Sequence, residues 1–306
     1  INYIISIIML YRWQTTITTM GTWSQSQSTD TPSGQGFANS LKMDCTTADA
    51  SPAAGDHLLV NQKFEGLNLQ NLAKGTSEAK SITVSFWVKS SKTGTYILEV
   101  DDRDNTRAIS QSYTINSANT WEKKTLTYAG DTTGALDNNN AVSLFLTWWL
   151  GVGSNFTSGT LATSWAARTS ANRVVGQVNL ADSTSNDWYI TGVQFEVGTT
   201  ATPFEHLQYG QQLALCQRYY EYGTRNFYGS TDSPGNIVSE ETFKVVKRAT
   251  PTMVYGTWSY SRSGGSGTGS LINYQTNINK WSGYIGTGSG FAAAFSGGAW
   301  TADSEL

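Results

Sequence analysis

The stretch that decides the fold is NDWYITGVQFEVGTTATPFE, residues 186–205. Its side chains alternate from Trp188 to Val197, which is the period of a strand with one buried face. One side would carry Tyr189, Thr191, Val193, Phe195 and Val197, and the other Trp188, Ile190, Gly192, Gln194 and Glu196. Gly198 and Pro203 then interrupt the ladder, because proline has no N–H to donate. We predict that this strand closes one large β domain and that a different unit follows.

The same alternation occurs earlier in the chain. In residues 81–90, one face carries the apolar residues Ile82, Val84, Phe86 and Val88. In residues 141–149, one face carries Val142, Leu144, Leu146 and Trp148. Trp87 lies on the opposite face with Thr83 and Ser85, and Phe145 and Trp149 lie with Ser143 and Thr147. Several short strands separated by turn-forming residues predict an all-β, two-sheet sandwich.

After residue 206 the pattern changes. Apolar residues recur every three to four positions from Tyr209 to Tyr222, which predicts a short helix ending at Gly223. Further strands are predicted over 242–248, 252–258, 271–275, 281–285 and 291–295, with glycine-rich loops at 261–270 and 286–290. The predicted organisation is a β sandwich over 1–206, a linker helix over 207–224 and a small Gly-rich β domain, a distal tip, over 225–306.

Composition excludes several partners. Only 14% of the residues are charged and the net charge is −3, so the chain has no positive electrostatic field that would attract nucleic acid.

Cys45 and Cys216 are too few for a disulfide framework, and we expect two buried thiols. The apolar run Ile4–Leu10 is shorter than the ~20 residues that span a bilayer, so no membrane insertion is expected. It is either a buried first strand or a docking strand.

The sequence contains no constellation typical of an enzyme. His57 and His206 have no nucleophile signature beside them, and no hydrolase, zinc-protease or phosphate-binding motif occurs. The acidic segment DDRDN at 101–105 lacks the glycine and closing glutamate of an EF-hand loop, so a solvated turn is the simpler interpretation. We predict no catalytic residue, no cofactor and no metal ligand. A structural Ca²⁺, with Glu65 or Glu196 among its ligands, stays an alternative that the sequence does not place.

Six segments resemble, in matching order, the tail-fibre and related virion-appendage proteins of marine bacteriophages. They are GFANSLKMDCTTAD at 36–49, FEGLNLQNLAKGT at 64–76, SITVSFWVKSSKTGTY at 81–96, INSANTWEKKTLTYAGDTTG at 115–134, TGVQFEVGTTATPFE at 191–205 and QQLALCQRYYEYG at 211–223. The resemblance implies a jelly roll of the carbohydrate-binding type without a catalytic set. It also implies a homotrimer carried on the virion after synthesis in the host bacterial cytoplasm.

Aromatic placement supplies the candidate site. Trp87, Phe145 and Trp149 lie beside hydroxyl-bearing residues, and Trp165 lies in the long Gly/Ser/Thr/Asn region 150–187. A flat ring beside hydroxyls can stack on the apolar face of a sugar. The alternative is that these rings pack beneath the 150–187 region or in a subunit contact.

The predicted function is a non-enzymatic tail fibre or similar appendage that attaches to host cell-surface polysaccharide and joins other virion proteins through its N-terminal region. The alternatives are a head fibre or capsid decoration protein, a carbohydrate-binding module of a secreted polysaccharide-degrading enzyme, and a depolymerase with unrecognised carboxylates.

Overall fold

The computed structural model describes residues 3–5, 13–229, 236–262, 265–286 and 293–305. It divides the chain into two compact units, Ile1–Leu207 and Gln208–Glu305. No helix of the described chain has the length and hydropathy needed to cross a membrane.

The described residues of the first unit form twelve strands. They are β1 (Tyr3–Ile5), β2 (Trp13–Thr18), β3 (Thr22–Ser28), β4 (Ser40–Thr47), β5 (His57–Glu65), β6 (Ile82–Ser90), β7 (Gly94–Asp102), β8 (Arg107–Ile115), β9 (Glu122–Tyr128), β10 (Val142–Val152), β11 (Ala166–Ala167) and β12 (Asp187–Val197). Short 3₁₀ turns occupy Gly66–Asn68, Gln70–Leu72, Ser154–Phe156, Ser170–Asn172 and Leu180–Asp182.

These strands form two antiparallel sheets of six strands each. The first, here the β6 sheet, has the order β3-β4-β12-β6-β9, with β1 also paired to β12. The second, the β10 sheet, has the order β11-β8-β7-β10-β5-β2. The unit is a two-sheet jelly-roll sandwich, and the predicted fold class is confirmed.

The core lies between the two sheets. The predicted inward residues of β6 are buried there with Leu144, Leu146 and Trp148 of β10. Trp87 and Phe145 are on the opposite faces of their strands and are partly exposed. The period-two pattern thus assigned the faces of β6 correctly, and those of β10 from Leu144 onward. A register irregularity against β5 lies between Val142 and Leu144, and Val142, predicted to face inward, lies outside the core.

The alternation predicted for β12 is wrong beyond Thr191. Thr191 pairs with Trp87 and Gln194 pairs with Ser85, so that Gly192 and Val193 together oppose one residue of β6. This β-bulge reverses the faces that follow it. Val193 and Phe195 therefore join Trp188 and Ile190 in the core, and Gln194 and Glu196 lie on the outer face.

The second unit begins with the helix α1 (Tyr209–Gln217). Eight strands follow: β13 (Tyr220–Gly229), β14 (Asn236–Thr242), β15 (Thr252–Tyr255), β16 (Thr257–Arg262), β17 (Gly265–Ser270), β18 (Ile272–Thr276), β19 (Lys280–Gly286) and β20 (Ala293–Asp303). One sheet has the order β13-β20-β16-β17 with β15 beside β20, and the other has the order β14-β19-β18. Phe243, Trp258, Leu271, Trp281, Trp300 and Ala302 form the core of this unit.

Three predictions for the second unit need correction. The helix ends at Gln217 rather than Gly223, because the chain from Tyr220 onward pairs with β20. The strand expected over 242–248 ends at Thr242. Within the glycine-rich 261–270 segment, β17 pairs with β16 in a hairpin instead of forming a loop. Residues 287–290 of the second glycine-rich segment lie outside the described residues.

At the start of the chain, Ile4 and Ile5 of the apolar run pair with Gln194 and Val193. Residues 6–10 of that run lie outside the described residues. Cys45 and Cys216 are both buried.

Candidate functional site

The four candidate aromatic residues do not form one site. Trp87 lies on the outer face of the β6 sheet, whereas Phe145 and Trp149 lie on the outer face of the β10 sheet. Trp165 immediately precedes β11, the edge strand of the β10 sheet.

Trp149 is buried beneath residues 153–179, here called the covering segment. The Trp149 side chain is 1% exposed and packs with Leu59, Ile97 and Val174 in a small apolar cluster outside the main core. Its indole Nε1 donates to Oε2 of Glu99 at 3.1 Å. Trp149 thus packs beneath the 150–187 region, as the alternative interpretation expected, and it offers no ring face to a ligand.

Two arginines of the covering segment bind carboxylates of β7. Arg173 donates to both oxygens of Glu99 at 2.7 Å, and Arg168 donates to both oxygens of Asp101 at 2.8 Å. Complete burial raises the pKa of the Glu99 carboxyl, while the charge of Arg173 acts in the opposite direction. The Arg173 pair is bidentate, whereas Arg168 uses a single nitrogen, and both pairs hold the covering segment against the sheet.

Two further candidate rings, Phe145 and Trp165, each contact cations of the protein. The Phe145 ring lies between the Lys63 ammonium, 5.6 Å from its centroid, and the Arg103 guanidinium, 4.9 Å away. Trp165 packs against the core, donates its Nε1 to the carbonyl oxygen of Ala129 at 2.7 Å and has the Lys74 ammonium 5.2 Å from its ring. Both rings therefore already have polar or charged partners from the chain.

The three carboxylates of the acidic segment 101–105 have different partners, and Asp104 accepts from the backbone N–H of Asp137 at 2.9 Å. Asp101 binds Arg168, whereas Asp102 binds Lys74, whose ammonium also lies 3.0 Å from Asp131. Within the described ranges, no group of three His, Cys, Asp or Glu side chains is arranged to hold a metal ion.

One half of the outer face of the β6 sheet is covered by the segment 198–206. Thr83 donates to the carbonyl oxygen of Gly198 at 2.8 Å, and Gln194 donates to the hydroxyl of Thr202 at 3.0 Å. The backbone N–H of Thr202 also donates to Glu196 at 3.1 Å. On the side of the edge strand β9, Trp87 is partly exposed and Lys123 and Thr125 are exposed.

Trp87 differs from the other tryptophans that reach the surface. Four of the 11 tryptophans are partly exposed, and three of them donate their indole N–H to a protein oxygen: Trp23 to Met20, Trp121 to Asp30 and Trp165 to Ala129. The Trp87 indole N–H is neither buried nor donated to any acceptor in the described part of the chain. Its ring and its donor are both available to a ligand.

A rigid group of side chains flanks Trp87. The ammonium of Lys89, two residues along β6, lies 4.2 Å from the Tyr189 ring centroid and 5.8 Å from that of Trp121. Asp30 accepts from Lys89 and from the Trp121 Nε1, the latter at 2.9 Å. Burial acts to raise the pKa of Asp30, but these two hydrogen bonds lower it. The carboxylate therefore stays ionised and holds both donors in place.

Register places further polar groups next to Trp87. Lys123 of the edge strand β9 is directly opposite Trp87 and is exposed, and Thr125 of the same strand is exposed opposite Ser85. On the other side, Thr191 of β12 faces Trp87. We refer to Trp87, Lys89, Trp121, Lys123, Thr125 and Tyr189 together as the Trp87 surface.

Sequence reasoning selected Trp87 but missed the rest of this surface. Tyr189 was placed on the same face as Val193 and Phe195, and only the bulge separates them. A glycine inside a strand pattern is a signal for a bulge, so Gly192 offered a way to find Tyr189. No comparable signal marked Lys123, because its position depends on the pairing of two strands that are distant in the sequence.

Comparisons with known proteins return only distant structural likenesses. No protein-family model matches the chain, and no curated protein matches it. Among solved structures, the enzymatically active domain of tailspike protein 4 from bacteriophage CBA120 aligns with a TM-score of 0.34 and 14% identity, over 61% of this chain and 19% of that one.

Two carbohydrate-binding modules align over most of their own length. The family 11 module from Clostridium thermocellum, in complex with a mixed-linked tetrasaccharide, has a TM-score of 0.37 and 8% identity over 65% of this chain and 98% of that one. The CBM22-1 xylan-binding domain from Paenibacillus barcinonensis Xyn10C has a TM-score of 0.31 and 12% identity over 66% of this chain and 95% of that one.

Proposed function

We propose that this chain is a non-enzymatic glycan-binding protein whose jelly roll holds a saccharide against Trp87. The observation that carries the proposal is the partly exposed Trp87 ring, whose indole N–H has no acceptor among the described residues. An indole can stack on the apolar face of a pyranose and donate one hydrogen bond to a ring substituent. Lys123, which pairs with Trp87 across the two strands, and Thr125, two residues further along β9, add hydrogen-bond donors beside the ring.

The surroundings of Trp87 suit binding with little rearrangement. Lys89, Trp121 and Asp30 are held together by hydrogen bonds and ring contacts, so few side chains lose freedom when a ligand binds. The patch is small and partly polar, and one such site is expected to bind weakly. Several copies in one particle would raise the apparent affinity through multivalency.

We further propose that the chain is a structural protein of a bacteriophage virion, a tail fibre or similar appendage, that attaches to host cell-surface polysaccharide. Support for this role comes from the six segments between residues 36 and 223 that resemble virion-appendage proteins. In this role the jelly roll is a stiff body, and Trp87 contacts the host glycan.

The test is a glycan-array screen of the full chain against neutral and acidic bacterial polysaccharides, followed by titration of the best binder. We expect Trp87→Ala to weaken binding at least about tenfold, about 1.4 kcal/mol, because it removes both the stacking surface and the donor. The matched control is Phe145→Ala, which removes a partly exposed ring from the other sheet and should leave binding unchanged.

Urea unfolding of both variants separates binding from folding. Trp87→Ala should change the free energy of unfolding only slightly, within about 1 kcal/mol, because its ring lies outside the core. If Trp87→Ala binds as tightly as the wild type, or if Phe145→Ala is the variant that loses binding, the proposed site is wrong.

A further inference from the structure

The polar groups that the Trp87 surface leaves available next to Trp87 are mainly hydrogen-bond donors. The indole N–H of Trp87 has no acceptor in the described chain. Lys123, directly opposite on β9, is exposed and forms no ion pair within the described ranges. An ammonium group has three donors and no acceptor, so it cannot satisfy the indole.

The carboxylates closest to these donors already accept hydrogen bonds from the protein, and the nearby Thr125 hydroxyl is exposed but carries no charge. Asp30 accepts from Lys89 and from Trp121. On the other side of Trp87, the Thr191 hydroxyl donates to the carbonyl oxygen of Asn39 at 2.9 Å, and its oxygen could still accept, but the side chain is buried. Further along the sheet, Oδ2 of Asp187 accepts from the Tyr189 hydroxyl at 3.0 Å, and Oδ1 of Asp187 is buried away from a ligand.

Glu122, the chain neighbour of Lys123, is also engaged. Its carboxylate accepts from the backbone N–H groups of Asn116 and Ser117 at 2.8 and 2.9 Å and from the Lys124 ammonium. Burial acts to raise the pKa of Glu122, but these hydrogen bonds lower it to about 2. Glu122 is therefore ionised and bound to other donors, and it leaves the charge of Lys123 without a partner.

Residues that face each other across two antiparallel strands have Cβ atoms about 4.5–5.5 Å apart. One planar anionic group of a ligand can therefore accept from both Trp87 and Lys123 while the sugar ring lies on the indole. A carboxylate is suited to this position because it is an acceptor only, and its hydrogen bonds to an ammonium group are charge-assisted.

Resting on the proposed function, we infer that the ligand of the Trp87 surface is an acidic saccharide, whose carboxylate bridges the Trp87 indole N–H and the Lys123 ammonium. Lys123 is thus a specificity-determining residue: it distinguishes a uronic acid from the neutral sugar of the same shape.

The test uses polygalacturonate and its carboxyl-reduced form, which keeps the sugar backbone and removes the charge. Affinity gel electrophoresis of the full chain should show binding to the acidic polymer at least about tenfold tighter than to the reduced one. Lys123→Gln should lose most of that preference, and added salt should weaken binding of the wild type to the acidic polymer. The control is Lys244→Gln, an exposed lysine of the second unit, which should behave as the wild type.

The outcomes separate this inference from the function on which it rests. The inference is overturned if the two polymers bind equally well, if Lys123→Gln keeps the preference, or if the protein binds only neutral members of the glycan array. In each of these cases the proposed function survives when Trp87→Ala still abolishes binding. If Trp87→Ala leaves binding to every polymer unchanged, the proposed function fails as well.

Discussion

At the residue scale, Gly192 decides which side chains of β12 point to the outer face of the β6 sheet. Its φ of +59° lies in the left-handed region, where a side chain costs free energy. A Cβ added there would also lie 2.4 Å from Cζ of Phe37. The bulge at this residue puts Tyr189 outside and Phe195 inside, so it shapes both the Trp87 surface and the core.

We therefore expect Gly192→Ala to lower the free energy of unfolding by about 1–3 kcal/mol, from backbone strain and from displacement of Phe37. Urea unfolding measures the change. Gly210→Ala is the matched control: Gly210 is in α1 with no atom within 4 Å of an added Cβ, so alanine should be neutral or slightly stabilising there. Equal stabilities for the two variants would contradict the role given to Gly192.

At the scale of elements, the covering segment determines how much of the outer face of the β10 sheet is exposed to solvent. It binds the sheet through Arg173 and Arg168, and the Gln177 side chain accepts from the backbone N–H of Ile97 at 2.7 Å. It also buries Trp149, which would otherwise lie on a hydroxyl-bearing face. One segment thus removes one predicted sugar platform and leaves Trp87 on the other sheet.

Breaking the buried pair should loosen this segment. We expect Arg173→Met to lower the free energy of unfolding by about 3–5 kcal/mol, because it leaves the Glu99 carboxylate buried without its cation. The double variant Glu99→Gln with Arg173→Met should recover part of the loss, since it removes both charges. Urea unfolding followed by tryptophan fluorescence gives the double-mutant cycle.

Arg103→Met is the control for this cycle. Arg103 pairs with Asp101 at 3.2 Å, but its side chain is 41% exposed, and such pairs contribute only about 0–1 kcal/mol. If Arg173→Met costs no more than Arg103→Met, the Glu99 pair is not what holds the covering segment.

At the scale of the whole molecule, the virion role predicts a homotrimer. Weak glycan sites need several copies acting together, and a trimer is the smallest assembly implied by the resemblance to phage appendages. Sedimentation equilibrium of the full chain should give about three times the 33.2 kDa of one chain. A monomer would contradict the virion proposal and favour the alternative, a binding module of a secreted polysaccharide-degrading enzyme.

The sandwich and many of its strands could be predicted because their information is local. Strand β6 alternates without interruption and β10 does so from Leu144 onward, so each of these positions follows from its neighbours. Their core residues were identified correctly, but Val142, which precedes an irregularity in β10, lies outside the core. The predictions were wrong where a segment pairs with a strand whose position the local sequence pattern does not reveal. Strand β13 pairs with β20 and ends the helical pattern at Gln217, and the hairpin of β16 and β17 orders a glycine-rich stretch.

By itself, the sequence determined that this protein is a weakly charged, two-layered β body with tryptophans on its outer faces, because a period of two specifies which side of a strand each residue takes. Only the tertiary structure decided which of those rings a ligand can reach. The exposure of Trp87, the burial of Trp149 and the position of Lys123 depend on what packs above or beside each strand. Those neighbours come from distant parts of the chain, and no local pattern encodes them.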